Sequence, residues 1–102
     1  MRRYEILLPL KYNDGTDVEI EKFELTQQEL IAVFGAITVD TAPVRGYWID
    51  KETLYEDKAM RFYIDTDDSE RIISFFKEYK EKLKERFKQT DVWLVMHDLN
   101  VL

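Results

Sequence analysis

A histidine, an arginine and two aromatic residues are the side chains of this sequence best suited to chemistry. His97 is the single histidine of the chain, and it lies four residues after Trp93. An imidazole changes its charge near neutral pH and can act as an acid or a base, whereas a guanidinium binds anions. With His97 as acid/base, Arg61 as an anion clamp, and Tyr63 and Trp93 as walls, these residues predict a candidate small-molecule site.

Other catalytic and metal-binding motifs are missing from the sequence. It has no phosphate-binding loop, no nucleophile elbow and no pair of histidines at metal-ligand spacing. Zero cysteines exclude disulfides, thiolate metal sites and cysteine nucleophiles, and favour the cytoplasm. Asp65, Asp67, Asp68 and Glu70 cluster as Mg²⁺ ligands sometimes do, but the start of a helix explains them fully. We therefore expect no metal and no cofactor.

The charge balance argues against nucleic acid as the main partner. The chain carries 21 acidic and 15 basic residues, a net charge of −6, whereas neutralising phosphates supplies most of nucleic-acid affinity. Aromatic residues beside Arg61 suit an RNA-binding sheet, but the glycine–phenylalanine spacing of that motif is absent. No apolar run approaches the roughly 20 residues of a membrane span or forms a signal peptide. We expect a soluble, cytoplasmic protein that binds neither nucleic acid nor membrane.

The elements that position the candidate site are organised around the C-terminal third. Apolar residues at helical spacing predict a helix over residues 72–87, and Asp67 with Glu70 has the spacing of a capping box at its start. Residues 92–99 alternate and predict a strand. Val92, Leu94 and Met96 are expected under the helices, and Trp93, Val95, His97 and Leu99 on the opposite side.

The preceding two thirds predict three more strands and one more helix. Residues 4–10 alternate as a strand whose core face carries Tyr4, Ile6, Leu8 and Leu10. Asn13-Asp14-Gly15 forms a turn. Thr26-Gln27-Gln28-Glu29 reads as a capping box, with Leu25 and Leu30 as its hydrophobic staple, for a short helix that ends at Gly35. A second strand begins over 37–39, is interrupted by Thr41-Ala42-Pro43 and resumes over 45–49. A turn at 50–52, a short arm over 53–56 and a third strand over 59–65 follow.

The order of these elements is β-α-β-β-α-β. It predicts one α+β domain over residues 1–102, a ferredoxin-like α/β sandwich. Its sheet would have four antiparallel strands in the spatial order 4-1-3-2, with both helices on one face.

Nearly the whole chain resembles a group of uncharacterised bacterial proteins of about this length. The resemblance is carried by YEILLPLKYNDG, by EKFELTQQELIAVFGAITV with GYWI, and by YKEKLKERFKQTDVWLV. Ala36 stands where this group leads us to expect a second glycine. The resemblance implies a ferredoxin-like fold and a bacterial source, and it implies no chemistry.

The sheet face opposite the helices is the surface from which we predict a function. Leu7, Tyr63, Trp93, Val95 and His97 are expected on this face, which is then too apolar to be left to water. We predict a homodimer that packs these faces together, acting as a non-catalytic binding or assembly module. The alternative, by analogy of fold, is a small dimeric α/β-barrel enzyme or ligand sensor that uses His97, Arg61 and Tyr63.

Overall fold

Two helices and five strands form an α+β fold in the computed structural model, which describes residues 1–40 and 42–102. The elements are β1 (Arg2–Pro9), α1 (Ile20–Phe34), β2 (Thr38–Val39), β3 (Val44–Asp50), β4 (Thr53–Thr66), α2 (Glu70–Arg86) and β5 (Trp93–Asp98). Every strand pairing is antiparallel, in the order β2-β4-β1-β5, and β3 also pairs with β4. The predicted strand order is confirmed, but the sheet has five strands rather than four.

The core lies between one face of the sheet and both helices. Alternation along β1 buries Tyr4, Ile6 and Leu8 on that face. Phe76 of α2 stacks on Tyr4 with ring centroids 4.1 Å apart, which fixes α2 over the middle of the sheet. Met96 was predicted on the same face, and its register opposite Tyr4 confirms this. The expectation that the helices cover it was wrong, because it is 49% exposed on β5, the edge strand.

Helix α1 begins well before the residue predicted as its cap. Its N-cap is Glu19, and Thr26 lies inside the helix, fully buried. The Thr26 hydroxyl donates to the carbonyl of Lys22 at 2.8 Å, while the Glu29 side chain turns towards α2. Leu25, predicted to staple the cap, is exposed. The capping-box interpretation was therefore wrong, because the same residue types also suit the interior of a helix that packs on another helix.

The other helix ends are set by local hydrogen bonds. Gly35 has φ +78° and donates its N–H to the carbonyl of Ile31 at 2.7 Å, which confirms it as the stop of α1. Ser69, rather than the predicted Asp67, caps α2, and its hydroxyl accepts from the N–H of Arg71 at 3.2 Å.

Strands β3 and β4 form a long hairpin, called here the hairpin (residues 44–59). Strand β4 runs without a break, so the prediction of a short arm and a separate third strand was wrong. The two-residue loop, Lys51 and Glu52, has φ of 48° and 69°, as a type I′ turn requires, and confirms the predicted turn. The predicted second strand is divided into β2 and β3. Thr41, the first residue of its predicted interruption, lies outside the described residues.

The two ends of the chain meet at one end of the sheet, and the hairpin extends from the other. The N–H of Leu99 donates to the carbonyl of Met1 at 3.0 Å. At the opposite end Pro9 pairs with Ala59, where the hairpin begins to run past β1. The molecule is accordingly elongated, 41 × 27 × 25 Å.

Candidate functional site

The face of the sheet away from the helices, called here the open face, brings together the residues predicted for the site. Residues directly opposite on paired antiparallel strands share a face. The register forms three rows across β4, β1 and β5: Asp65–Arg3–His97, Tyr63–Glu5–Val95 and Arg61–Leu7–Trp93. The structure thus places Leu7, Arg61, Tyr63, Trp93, Val95 and His97 on one surface.

Arg61 is held by two carboxylates in the row of the open face nearest the hairpin. Its Nε donates to Glu5, and its Nη1 donates to Oδ2 of Asp40 at 3.3 Å. The hydrogen bond to Glu5 raises the pKa of the Arg61 guanidinium, against the opposing effect of burial. An anionic ligand would therefore have to displace Glu5 or Asp40 before Arg61 could act as the predicted anion clamp.

A second arginine of the open face, Arg3, is also paired with a carboxylate. Arg3 donates from Nε and Nη2 to the two carboxylate oxygens of Asp65 at 2.6 and 2.9 Å. This hydrogen bonding lowers the pKa of Asp65. The guanidinium carbons of Arg3 and Arg61 lie 4.3 and 4.5 Å from the centroid of the Tyr63 ring, within cation–π distance. Sequence reasoning did not place Arg3 or Asp65 on the open face, although the alternation along β1 and β4 indicates both.

His97 and Trp93 lie at different positions along β5. They are four residues apart, which is about 13 Å along a strand. Both side chains are exposed, and they belong to different rows of the open face. The four residues of the candidate catalytic site therefore share a face, but they do not converge on one point.

A groove of about 990 Å³ opens where the open face meets the hairpin. Its walls include Leu7, Pro9 and Trp93 of the sheet and Val44, Trp48 and Ala59 of the hairpin. The loop over residues 10–17 closes a third side. Of the residues predicted for the site, Leu7 and Trp93 line the groove, whereas Tyr63, Val95 and His97 do not. Sequence reasoning missed the groove because it treated residues 53–56 as a separate arm.

The hairpin carries aromatic and aliphatic side chains into solvent. Trp48 and Tyr55 stack with ring centroids 4.5 Å apart, and Trp48 Nε1 donates to Asp57 at 2.8 Å. Ile49 and Leu54, beside the turn, are 71% and 64% exposed. These contacts make the hairpin an ordered surface, and its apolar tip lies far from the core.

A different polar cluster, called here the helix seam, joins α1 to α2. Arg86 Nη1 lies 2.7 Å from Glu29 Oε1 and donates to the Thr26 hydroxyl at 2.8 Å, while the Tyr79 hydroxyl donates to Glu29 at 2.9 Å. Burial alone would raise the pKa of Glu29, but the hydrogen bonds from Arg86 and Tyr79 outweigh it and lower the pKa. Burial and the bond to Glu29 raise the pKa of Tyr79. The charged and hydrogen-bonding groups of the seam thus have their partners within the chain.

The acidic cluster predicted at the start of α2 is divided between separate partners. Asp65 binds Arg3, and Asp68 lies 3.7 Å from the N-terminal amine and 3.9 Å from Arg2. Within residues 1–40 and 42–102, no three histidine, cysteine or acidic side chains are grouped to hold a metal ion. No helix in that part of the chain is long and apolar enough to cross a membrane.

A scan against protein-family models finds no match, and no curated protein matches the chain. Solved structures share its fold. A phage SAM lyase in complex with S-methyl-5′-thioadenosine has a TM-score of 0.70 and 16% identity over 95% of this chain and 80% of its own. CutA1 from Pyrococcus horikoshii has a TM-score of 0.62 and 15% identity over 100% of this chain and 86% of its own.

A phage SAM lyase in its apo state is also similar, with a TM-score of 0.62 and 13% identity over 98% of this chain and 92% of that one. At such identities the likeness shows the fold alone: a small α+β domain in which two helices cover an antiparallel sheet.

Proposed function

We propose that the protein is a cytoplasmic binding or assembly module of ferredoxin-like fold that works as a homodimer without catalysis of its own. The two copies pack their open faces together about a two-fold axis. The observation that carries this proposal is the open face itself, where apolar side chains lie beside charges that are already paired within the chain.

The pairing of these charges matters because a lone charge is costly to bury. Arg61 is paired with Glu5 and Asp40, and Arg3 with Asp65. Three carboxylates against two guanidiniums leave one negative charge, and the Asp40 side chain, 40% exposed, can keep it in water when a second copy covers the two arginines. The apolar area of Leu7, Val95 and Trp93 then contributes about 25 cal/mol for each Å² removed from water. The balance favours contact with another apolar surface over contact with water.

Solution mass tests this proposal. Light scattering over a concentration series should give the mass of a dimer, and Val95→Glu should shift the protein to monomer. Val95 lies in the middle row of the open face and does not line the groove. The matched control is Met96→Glu, the next residue of β5, which is exposed on the opposite side of the sheet. A wild-type monomer, or equal effects of the two variants, would overturn the proposal.

A second candidate function is favoured by the groove. A small dimeric α/β-barrel enzyme or ligand sensor would place its ligand there, with Trp48 and Trp93 as walls and His97, Arg61 and Tyr63 on the adjoining face. The phage SAM lyase of similar fold was solved with a thioether nucleoside, S-methyl-5′-thioadenosine. This candidate predicts that the same nucleoside raises the Tm of the protein and that Trp93→Ala removes the rise. An unchanged wild-type Tm at millimolar nucleoside would contradict it.

A further inference from the structure

The groove between the open face and the hairpin is negatively charged. Four acidic and two basic residues line it, which gives a net charge of −2. Two of the acidic residues, Asp17 and Asp91, each lie 2.9 Å from a lysine amine. Asp57 forms no ion pair within the described part of the chain, and it accepts a hydrogen bond at 2.8 Å from the neutral indole N–H of Trp48. The charge of Asp57 is therefore left without a counter-charge.

The charged neighbours of Asp57 on β4 do not compensate it. Glu56 and Lys58 precede and follow it, and the alternation of a strand places their side chains on the other face of the hairpin. Arg45 of β3 lies on that other face too, opposite Lys58 and 3.9 Å from Glu56. In this stretch of β4 the groove thus receives a single charge, the carboxylate of Asp57, and a cation complements it.

The aromatic rings of the groove differ in whether the chain itself supplies them with a cation. Tyr12 has two lysine ammonium groups 4.9 and 5.0 Å from its ring centroid. Among the described residues no cation lies over Trp48 or Trp93, although an indole is the best ring for such a contact. One face of Trp48 stacks on Tyr55, and Trp48 is 48% exposed. The other face of its indole is open to a ligand.

Gly46 leaves space beside the carboxylate. It pairs with Asp57 across the hairpin and lies between Val44 and Trp48 on the side of β3 that lines the groove. A Cβ atom at this position would have no heavy atom within 4 Å. A ligand group can therefore reach Asp57 and the indole of Trp48 together.

We propose that the groove binds a small organic cation whose methylated ammonium group lies on Trp48 beside Asp57. The carboxylate supplies the counter-charge, and the indole supplies a cation–π contact. About 990 Å³ suits a drug-sized ligand, so the ammonium group is one end of a larger molecule whose apolar body extends towards Trp93. This inference rests on the second candidate function, whose ligand class it names, and it does not need the homodimer.

The fluorescence of the protein can report this binding, because its two tryptophans both line the groove. Choline chloride is the probe. It should change the emission saturably in the wild type and in Trp93→Phe, where Trp48 is the emitter, and should cause no change in Trp48→Phe. The neutral isostere 3,3-dimethyl-1-butanol, and sodium chloride at the same concentration, should give no saturable change.

Two substitutions and a matched control locate the cation. Asp57→Asn should raise the half-saturating choline concentration about fivefold, the upper range for an exposed ion pair. Gly46→Leu should abolish the response without lowering the Tm, because the added side chain enters open space beside Asp57. Asp50→Asn removes the same charge from β3 at a residue outside the groove, and should leave the response unchanged. Equal effects of Asp57→Asn and Asp50→Asn would overturn the proposal.

The outcomes also separate this inference from the function on which it rests. If S-methyl-5′-thioadenosine raises the Tm and choline leaves the fluorescence unchanged, the groove remains a ligand site and the cation is wrong. If neither compound has an effect, both proposals fail. Equal responses to choline and to its neutral isostere would mean that the groove selects apolar shape rather than charge, and would overturn the cation as well.

Discussion

The helix seam and the hairpin each join two neighbouring antiparallel elements through aromatic and charged side chains. They differ in what these side chains contact: those of the seam bind one another, whereas those at the end of the hairpin are exposed to solvent. In the seam, Glu29, Tyr79 and Arg86 satisfy one another at the junction of α1 and α2. In the hairpin, Ile49 and Leu54 end in solvent. The difference teaches that stability of the fold is concentrated on the helix side, while the sheet's other side and its hairpin are available for association.

Strand β4 crosses the boundary between these regions. Its first six residues are exposed on both faces, whereas Phe62 and Ile64 further along are buried beneath the helices. A single strand therefore contains positions that serve the core and positions that serve the surface. The same substitution should have different consequences along it.

The largest expected effect comes from truncating a buried side chain in the part of β4 that lies beneath the helices. Phe62→Ala should lower the free energy of unfolding by about 3–5 kcal/mol, because it leaves a cavity at a fully buried site. Tyr55→Ala, on the hairpin half of the same strand, should cost under about 1 kcal/mol. Urea unfolding at one fixed protein concentration measures both. Similar losses at the two positions would contradict the division of β4 into a core half and a surface half.

The next effect tests the seam. Arg86→Met should cost about 2–3 kcal/mol, below the roughly 3–5 kcal/mol of a fully buried pair, because the Glu29 side chain keeps 27% exposure. Lys82 contacts the same carboxylate at 3.5 Å but is 59% exposed, so Lys82→Met should cost about 0.5 kcal/mol or less. Equal losses in urea unfolding would mean that the burial of Arg86 adds nothing to the pair.

The free energy of unfolding of the wild type and of Glu29→Gln should depend differently on pH. The pKa of Glu29 is lowered in the folded protein, so its contribution is present above the unfolded value of about 4.3 and is lost as the pH falls through the folded value. Glu29→Gln should therefore cost about 1 kcal/mol at pH 6. The difference between the urea midpoints of the two proteins should shrink as the pH falls below about 4.3, and should vanish once the pH is below the folded pKa of Glu29. A difference that widens in acid would contradict this sign.

The smallest effect concerns the turn of the hairpin. Lys51 and Glu52 hold positive φ, which is unfavourable for residues with a Cβ. Lys51→Asn/Glu52→Gly supplies the pair that a type I′ turn prefers, and should stabilise the hairpin by about 0.5–1 kcal/mol. Amide hydrogen exchange should slow in β3 and the start of β4 and stay unchanged in α1 and α2. Slower exchange throughout would show that the hairpin and the helices open as one unit.

Much of the fold was predictable because its strands and helices have clear periods. The alternation of Tyr4, Ile6 and Leu8 identified the core face of β1, and that is confirmed. The start of α1 was not found, because Thr26 and Glu29 match a capping box as well as a helix interior. Phe23 supplied the missing signal: it is buried and lies seven residues before Leu30, which is two helical turns.

The candidate site was predictable only in part. Parity along β4 and β5 placed Tyr63, Trp93 and His97 on one face, as the register has them. The groove could not be predicted, because it forms only where the hairpin runs past β1. Residues 53–58, which build this part of the hairpin, are exposed on both faces and show no alternation of burial. The carboxylate of Asp40 beside Arg61 depends on where β2 ends, which sequence period does not determine.

The backbone hydrogen bond between Leu99 and Met1 has a practical consequence for how this domain can be combined with others. Since Met1 and Leu99 lie together at the end of the sheet opposite the hairpin, a polypeptide joined near them would be attached far from the groove. A fused reporter or neighbouring domain could be carried without obstructing it. For the same reason, a short linker from residue 102 to residue 1, with new ends cut elsewhere, should yield a circular permutant.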